Sequence, residues 1–343
     1  MRVKKNTLVL IFVIILATIV GYRGSTPDTV VYLDIFNHIN SYNLYSYTGF
    51  YSDAQVELGW GWYSKIISFF TDSSFILFGV FSFLTFWMIY KANNILRFPF
   101  IYTLAFYLPS SFFLMQQFMQ IRQGLAIPAA ILASFLYIDN KKKESFVFFI
   151  VAIMFHQTAI AYLLVFLLYL FINRFYSISF SLKRFLFVIL SVLVLGFFVA
   201  RVVVLPLAFS AFERLVSYAD TEYAEANDLL SLSNIKFYLE FIIIIIFSNK
   251  KFLEDKFYIF MVFIFTVGLT IRIAFYDFGI LGGRLSVVFL FIEIFLIPYL
   301  LYRKIKKPYF YFCLIVYFVL IFYISWVYQV SQYLQDSYFI PLR

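Results

Sequence analysis

Residues 141–174 read KKKESFVFFIVAIMFHQTAIAYLLVFLLYLFINR, and the way this stretch crosses a membrane decides the fold. Its apolar part, residues 145–172, is either one long tilted helix or two short helices meeting near His156. Loop charge decides between them. Lys141, Lys142 and Lys143 mark a cytoplasmic loop before the stretch, and Arg174, Lys183 and Arg184 mark another after it. Two cytoplasmic flanks require an even number of crossings, so the stretch reads as a short helical pair or re-entrant hairpin with His156 at its outer turn. The next loop then lies outside. It carries Glu213, Asp220, Glu222, Glu225 and Asp228 against Arg214 alone, which suits that side. A single helix would put the basic loop out and the acidic loop in.

Working outward, apolar runs predict spans at 6–22, 66–90, 98–116, 119–138, 184–205, 235–248, 256–276, 284–302 and 309–328. With the pair, this makes about eleven transmembrane or re-entrant helices, with the N-terminus cytoplasmic and the C-terminus outside. Lys91 with Arg97, Lys250 with Lys251, and Arg303 to Lys307 all fall inside on this register. Hydrophobic residues at 64% against 13% charged exclude a soluble globular domain. The expected fold is an all-α polytopic membrane protein, one integral domain over 1–343, with long external loops at 23–64 and 207–234. Many of the 28 tyrosines lie near run ends, where an amphipathic ring suits the headgroup zone.

The net charge of +9 is retention charge in short inter-helix loops, so no nucleic-acid partner is expected. Cys313 stands alone within an apolar run, which excludes a disulfide framework and a metal–thiolate cluster. Arg2, Lys4 and Lys5 ahead of the first apolar run resemble a secretory signal. No small-residue cleavage site follows, so an uncleaved first helix is expected. Walker, dinucleotide, zinc, nucleophile-elbow and calcium motifs are missing, so the reading assigns no metal and no cofactor and does not support nucleotide-driven transport.

Five arginines, Arg23, Arg122, Arg201, Arg272 and Arg284, fall at the outer boundary on this topology. Arginine there normally has an anionic partner or a ligand, and guanidinium forks bind phosphate oxygens bidentately. The set therefore predicts a basic pocket for a phosphate-bearing substrate. The plain alternatives are snorkelling to headgroups and ion pairs such as Arg272 with Asp277. In the first external loop, Thr26-Pro27-Asp28 reads as a helix start, which by itself accounts for Asp28 in the first turn. Asp34 and His38 share a helix face four residues apart, as a surface ion pair would. Glu57-Leu58-Gly59-Trp60-Gly61-Trp62 sets a carboxylate beside indoles, which suits either an interface anchor or a sugar face.

Gln116, Gln117, Gln120 and Gln123 surround Arg122, and Gln116, Gln120 and Gln123 share one face if the helix is unbroken. Amides both donate and accept, which suits hydroxyl-rich ligands; the alternative is interhelical glue. His156, the only histidine in the spans, is a candidate proton acceptor because imidazole titrates near neutrality. Glu240 is expected to pair with Lys236 one turn away, whereas Glu293 has no local partner and is expected to be protonated.

The pattern resembles the EpsG/Wzy-type family of bacterial polysaccharide polymerases. The resemblance is carried by Arg23, Asp28 and Tyr32; by Glu57 with Gly59; by Ile121-Arg122-Gln123 with Ala126; and by Phe155-His156 with Thr158-Ala159. Gly283-Arg284 adds a weaker match. It covers the first half of the chain; beyond Ile172 it rests on hydropathy and scattered arginines. It implies O-antigen, capsule or exopolysaccharide polymerisation at the outer face of the bacterial inner membrane. The implied substrates are undecaprenyl-pyrophosphate-linked oligosaccharides, with membrane lipid, a chain-length regulator and a flippase as partners. On that reading the catalytic candidates are His156, Glu57 and Asp28. The substrate-binding candidates are Arg23, Tyr32, Asp34, Gln116, Gln120, Arg122, Gln123, Arg201, Arg272, Arg284 and Trp60. Two rivals are a polyprenyl-phosphate-sugar glycosyltransferase, with Asp28 or Asp34 as base, and a lipid-glycan flippase.

Overall fold

The computed structural model describes residues 2–176, 181–206, 228–329 and 340. Among these the chain is helical throughout, with no strand. It divides into two compact units, Met1–Leu163 with Val316–Arg343, and Leu164–Ile315.

The first unit opens with α1 (Arg2–Gly21). The expected external loop then folds into three short helices, α2 (Pro27–Asn37), α3 (Tyr47–Ala54) and α4 (Leu58–Ser68). Thr26 caps α2 by accepting from the Thr29 amide at 3.1 Å, as its sequence predicts. The predicted span 66–90 instead begins at Ser74, as α5 (Ser74–Ile95). Thr71, Asp72 and Ser73 interrupt the apolar run there, and Thr71 bonds the Ser73 amide in competition with a helix.

The run 98–116 is broken likewise. Helix α6 (Phe100–Tyr107) ends just before Pro109, which has no amide hydrogen to carry the ladder on, although Leu108 still has helical φ and ψ. Helix α7 (Ser111–Leu114) then passes into a π-helical segment, Met115–Met119. Helix α8 (Ile121–Ile138) starts afresh beyond Gln120, whose ψ of 54° is not helical. Helices α9 (Lys142–Phe155) and α10 (Thr158–Tyr176) follow, separated at His156 and Gln157, so residues 145–172 do form two helices.

Helix α8 is the centre of this unit, 89% of its apolar window being buried. Ala126, Ala129, Ala130 and Ala133 along it are fully buried. Small side chains let neighbouring backbones approach where lipid supplies no hydrophobic drive, and α5, α9 and the π segment all pack on α8.

In the second unit, α11 (Leu182–Val199) continues as a π segment, Ala200–Val204. Then come α12 (Leu232–Phe247), α13 (Lys250–Leu253), α14 (Lys256–Ala274), α15 (Gly279–Leu290) and α16 (Glu293–Lys304). Helix α17 (Lys307–Phe322) leads back to the first unit, where Tyr317 stacks on Phe106 at 3.9 Å. Within the second unit α14 is largely buried, 72% of its window, as is α16 from Glu293 to Leu301, whereas only 11% of the window of the α11 run is covered.

By length and composition, five described helices can cross a membrane: α5, α8, α11 with its π segment, α14, and α17 with the segment after it. Counting α15 and α16, bent by 43°, as one span makes six. The expectation of about eleven transmembrane or re-entrant helices goes beyond this set; further apolar helical stretches, Thr7–Gly21 and Thr158–Arg174, are shorter. Most of the expected external loop at 207–234 lies outside the described residues.

Candidate active site

Helix α4 begins with Glu57 as its N-cap residue, in extended conformation. Gly59 lets this end of α4 lie directly on the last turn of α9: a Cβ there would stand 2.5 Å from the Met154 carbonyl oxygen. Glu57 is thereby delivered, 2% exposed, to the break between α9 and α10. Its Oε1 accepts the Gln157 amide at 3.1 Å. Its other oxygen forms an ion pair with Arg122 Nη1. Arg122 stands in the first turn of α8, just past the helix break, and its side chain is 16% exposed.

Arg122 is held on a second side as well. Its Nε donates to the Tyr32 hydroxyl at 3.0 Å, and its guanidinium lies 5.3 Å from the Tyr32 ring centre. Burial pushes the Tyr32 phenol up, with Arg122 opposing, so it stays a neutral acceptor for Nε. Trp60, fully buried, packs on Tyr32 at 4.8 Å and on Phe81 at 5.3 Å. The Arg122 side chain is 16% exposed, so the guanidinium is not sealed off from a ligand. Glu57, Arg122, Tyr32, Trp60 and the His156-Gln157 break therefore form one site within the first unit, in which the Glu57–Gln157 contact alone joins residues 100 apart.

His156 ends α9 in extended conformation. Its Nδ1 accepts the Thr158 amide at 3.2 Å and lies 2.9 Å from the Thr158 hydroxyl. An amide can only donate, so the neutral ring carries its proton on Nε2. In this state the ring is a donor, fit to orient a hydroxyl, and its lone pair is committed to the turn.

The other candidates are placed differently. Asp28 lies in the first turn of α2 and is half-buried, one turn from Tyr32. Asp34 and His38 form the expected surface pair at 3.1 Å, both well exposed. Gln116, Gln120 and Gln123 do not share a continuous helix face, because the π segment and the turn at Gln120 intervene. Gln116 and Gln123 are buried and Gln120 half-buried. Gln117, one of the four amides of that motif but not among the substrate-binding candidates, bridges Ser82 at 2.7 Å and Tyr107 at 2.8 Å, the glue role open to such amides.

Arg23 is 3% exposed. Its guanidinium donates to the carbonyls of Gln117, Phe118 (3.4 Å) and Val20 (3.4 Å) and lies 4.4 Å from the Phe78 ring centre. Burial pulls it down to about 9, so it keeps its charge at neutral pH.

Arg201, Arg272 and Arg284 belong to the second unit. Asp277 pairs with Arg201 at 2.6 Å, whereas Arg272, its anticipated partner, donates through Nε to Asn234 and lies over Phe237. Arg284 is exposed on α15. Glu240 takes its expected partner, Lys236, at 3.9 Å. Glu293 is corrected: the Lys236 ammonium reaches it at 2.5 Å from α12. Sequence reading missed this because the partner is 57 residues away and only helix packing joins them. Among the described residues no three or more His, Cys, Asp or Glu side chains gather as a metal-binding group.

Comparison with curated proteins and with solved structures gives no match. One family model does match, over residues 6–340, nearly the whole chain. With the Glu57, Arg122 and His156 segments all inside that range, the chain belongs to the EpsG family.

Proposed function

We propose that this membrane protein polymerises lipid-linked glycan repeats, transferring a growing chain from a polyprenyl-diphosphate donor to one lipid-linked repeat at the outer face of the inner membrane. Family membership supports a polysaccharide-polymerase role in general, and the apolar helices support a membrane setting. The observation that carries the finer reading is the Glu57–Arg122 pair, with a buried carboxylate and a part-exposed guanidinium, beside the α9–α10 break.

In the reaction an acceptor hydroxyl attacks the anomeric carbon of the donor glycan. The bond from that carbon to the diphosphate oxygen breaks, and its electron pair leaves with the polyprenyl diphosphate. The hydroxyl proton passes to a carboxylate. Charge grows on the leaving diphosphate, so a preorganised cation stabilises the transition state more than the ground state. Arg122 takes that role. Its attraction to the diphosphate loosens its hold on Glu57, which becomes the base. The Nε2–H of His156 orients the acceptor hydroxyl. Trp60, buried against Tyr32 and Phe81, backs the site from behind and does not stack on a sugar, and Gln120, half-buried beside Arg122, is the amide proposed to meet the sugars. Asp28 is the carboxylate next in line if Glu57 serves only to hold Arg122. The topology proposed with this is N-terminus inside and the α9–α10 break towards the outside, with the shorter apolar helices completing the crossings.

Glycan profiling of a deletion strain tests the reading. Loss of a polymerase leaves a single repeat on the cell surface, and plasmid-borne wild type restores the ladder. A surface without any repeat would point to a flippase, and an unchanged ladder would remove the chain from polymerisation.

A further inference from the structure

The stretch from Tyr22 to Thr26 after α1 and the π segment before α8 are sewn together. A π segment followed by a sharp turn takes backbone carbonyls out of the helical ladder, and such groups need other donors when buried. Arg23 supplies two, to Gln117 and to Phe118, the latter at 3.4 Å. The Thr26 hydroxyl adds a third, also to Phe118, at 3.1 Å. Thr26 is at once the cap of α2, accepting from the Thr29 amide. One and a half turns along α2, Tyr32 holds Arg122. Arg122 itself stands two residues past the turn at Gln120. The path therefore closes on itself: Arg23 and Thr26 pin the π segment, the π segment sets where α8 starts, and α2 returns from Thr26 to grip the first charged residue of α8.

We infer that Arg23 is a positioning residue: with Thr26 it braces the π segment and α2, and so fixes the direction in which Arg122 points. This rests on the reading of Arg122 as the diphosphate-binding group. It assigns Arg23, the most buried of the five arginines, to the backbone. A guanidinium suits the place because its planar fork reaches two carbonyls at once and keeps its charge, whereas an ammonium is a single point donor that demands more water.

The test uses the purified full chain with two readouts, for Arg23→Lys, Thr26→Val, Arg122→Lys and Arg23→Lys combined with Arg122→Lys. The first readout is hydrogen exchange of residues 116–124, which needs no ligand. Arg23→Lys should speed exchange there about tenfold, and Thr26→Val severalfold, while α14 stays unchanged. Thr26→Val removes one hydroxyl from a small side chain and keeps the inference testable should Arg23→Lys fail to fold. Unchanged exchange in the folded variants overturns the brace.

The second readout is binding of farnesyl diphosphate. Arg23→Lys should weaken it about tenfold, and the double variant should bind no worse than Arg122→Lys alone, because Arg23 acts through Arg122. Multiplying effects would make Arg23 a ligand in its own right and overturn the inference. If the wild type binds no farnesyl diphosphate yet exchange responds as stated, the brace stands and the diphosphate reading of Arg122 is what fails.

Discussion

Breaking the Glu57–Arg122 pair from one side and then from both is the most direct probe of the site. Glu57→Gln keeps an acceptor for the Gln157 amide but removes the charge facing Arg122. Losing one member of a buried pair costs roughly 3–5 kcal/mol, since the other charge is stranded. The Arg122 side chain is 16% exposed and keeps some water, so Glu57→Gln belongs near the lower end, about 3 kcal/mol. The Glu57 side chain is 3% exposed, so Arg122→Gln strands the worse-solvated charge and belongs near the upper end, about 5 kcal/mol. The double replacement strands neither, and should cost well under the additive sum, with a coupling of about 3 kcal/mol. Reversible unfolding of the detergent-purified variants, followed by far-UV circular dichroism, measures all three. Additivity to within about 0.5 kcal/mol would mean that the two side chains do not share a buried pair, and the catalytic reading built on it would go too.

The remaining predictions concern the chemistry and its support. Arg122→Lys keeps charge but loses the fork that serves Glu57, Tyr32 and a diphosphate together, so it should shorten the polymer ladder where Arg2→Lys leaves it intact; equal wild-type ladders would remove Arg122 from the site. His156→Asn keeps an acceptor near the Nδ1 position for the Thr158 amide and should fold normally while losing the Nε2 donor, so its polymer yield should drop at least tenfold; full-length polymer from that variant would make His156 a turn residue only. Gly59→Ala would set a Cβ 2.5 Å from the Met154 carbonyl, backbone against backbone, pushing α4 off α9 at a cost of roughly 1–3 kcal/mol. It should lower thermal stability and polymer length together, and a variant with unchanged values of both would show that the approach is not needed.

Much of this protein could be read from its residues alone. Long apolar runs with few charges can only be membrane helices, since backbone groups in hydrocarbon must be satisfied within the segment. The even-crossing requirement on residues 141–184 predicts the break at His156, where the structure ends one helix and starts the next. Local rules also placed the Thr26 cap, the Asp34–His38 pair and the Lys236–Glu240 pair, because each involves neighbours within one turn. Hydropathy did not show where runs break for polar or proline reasons, as at Thr71–Ser73, Pro109 and Gln120, since a window average passes over a few residues. Nor could spacing reveal which charges meet. Glu57 with Arg122, Arg201 with Asp277, and Lys236 with Glu293 are each brought together by helix packing across long separations. The residue types marked the candidates; tertiary structure decided their partners, because the cost of burying a charge is met by whichever opposite charge the packing delivers.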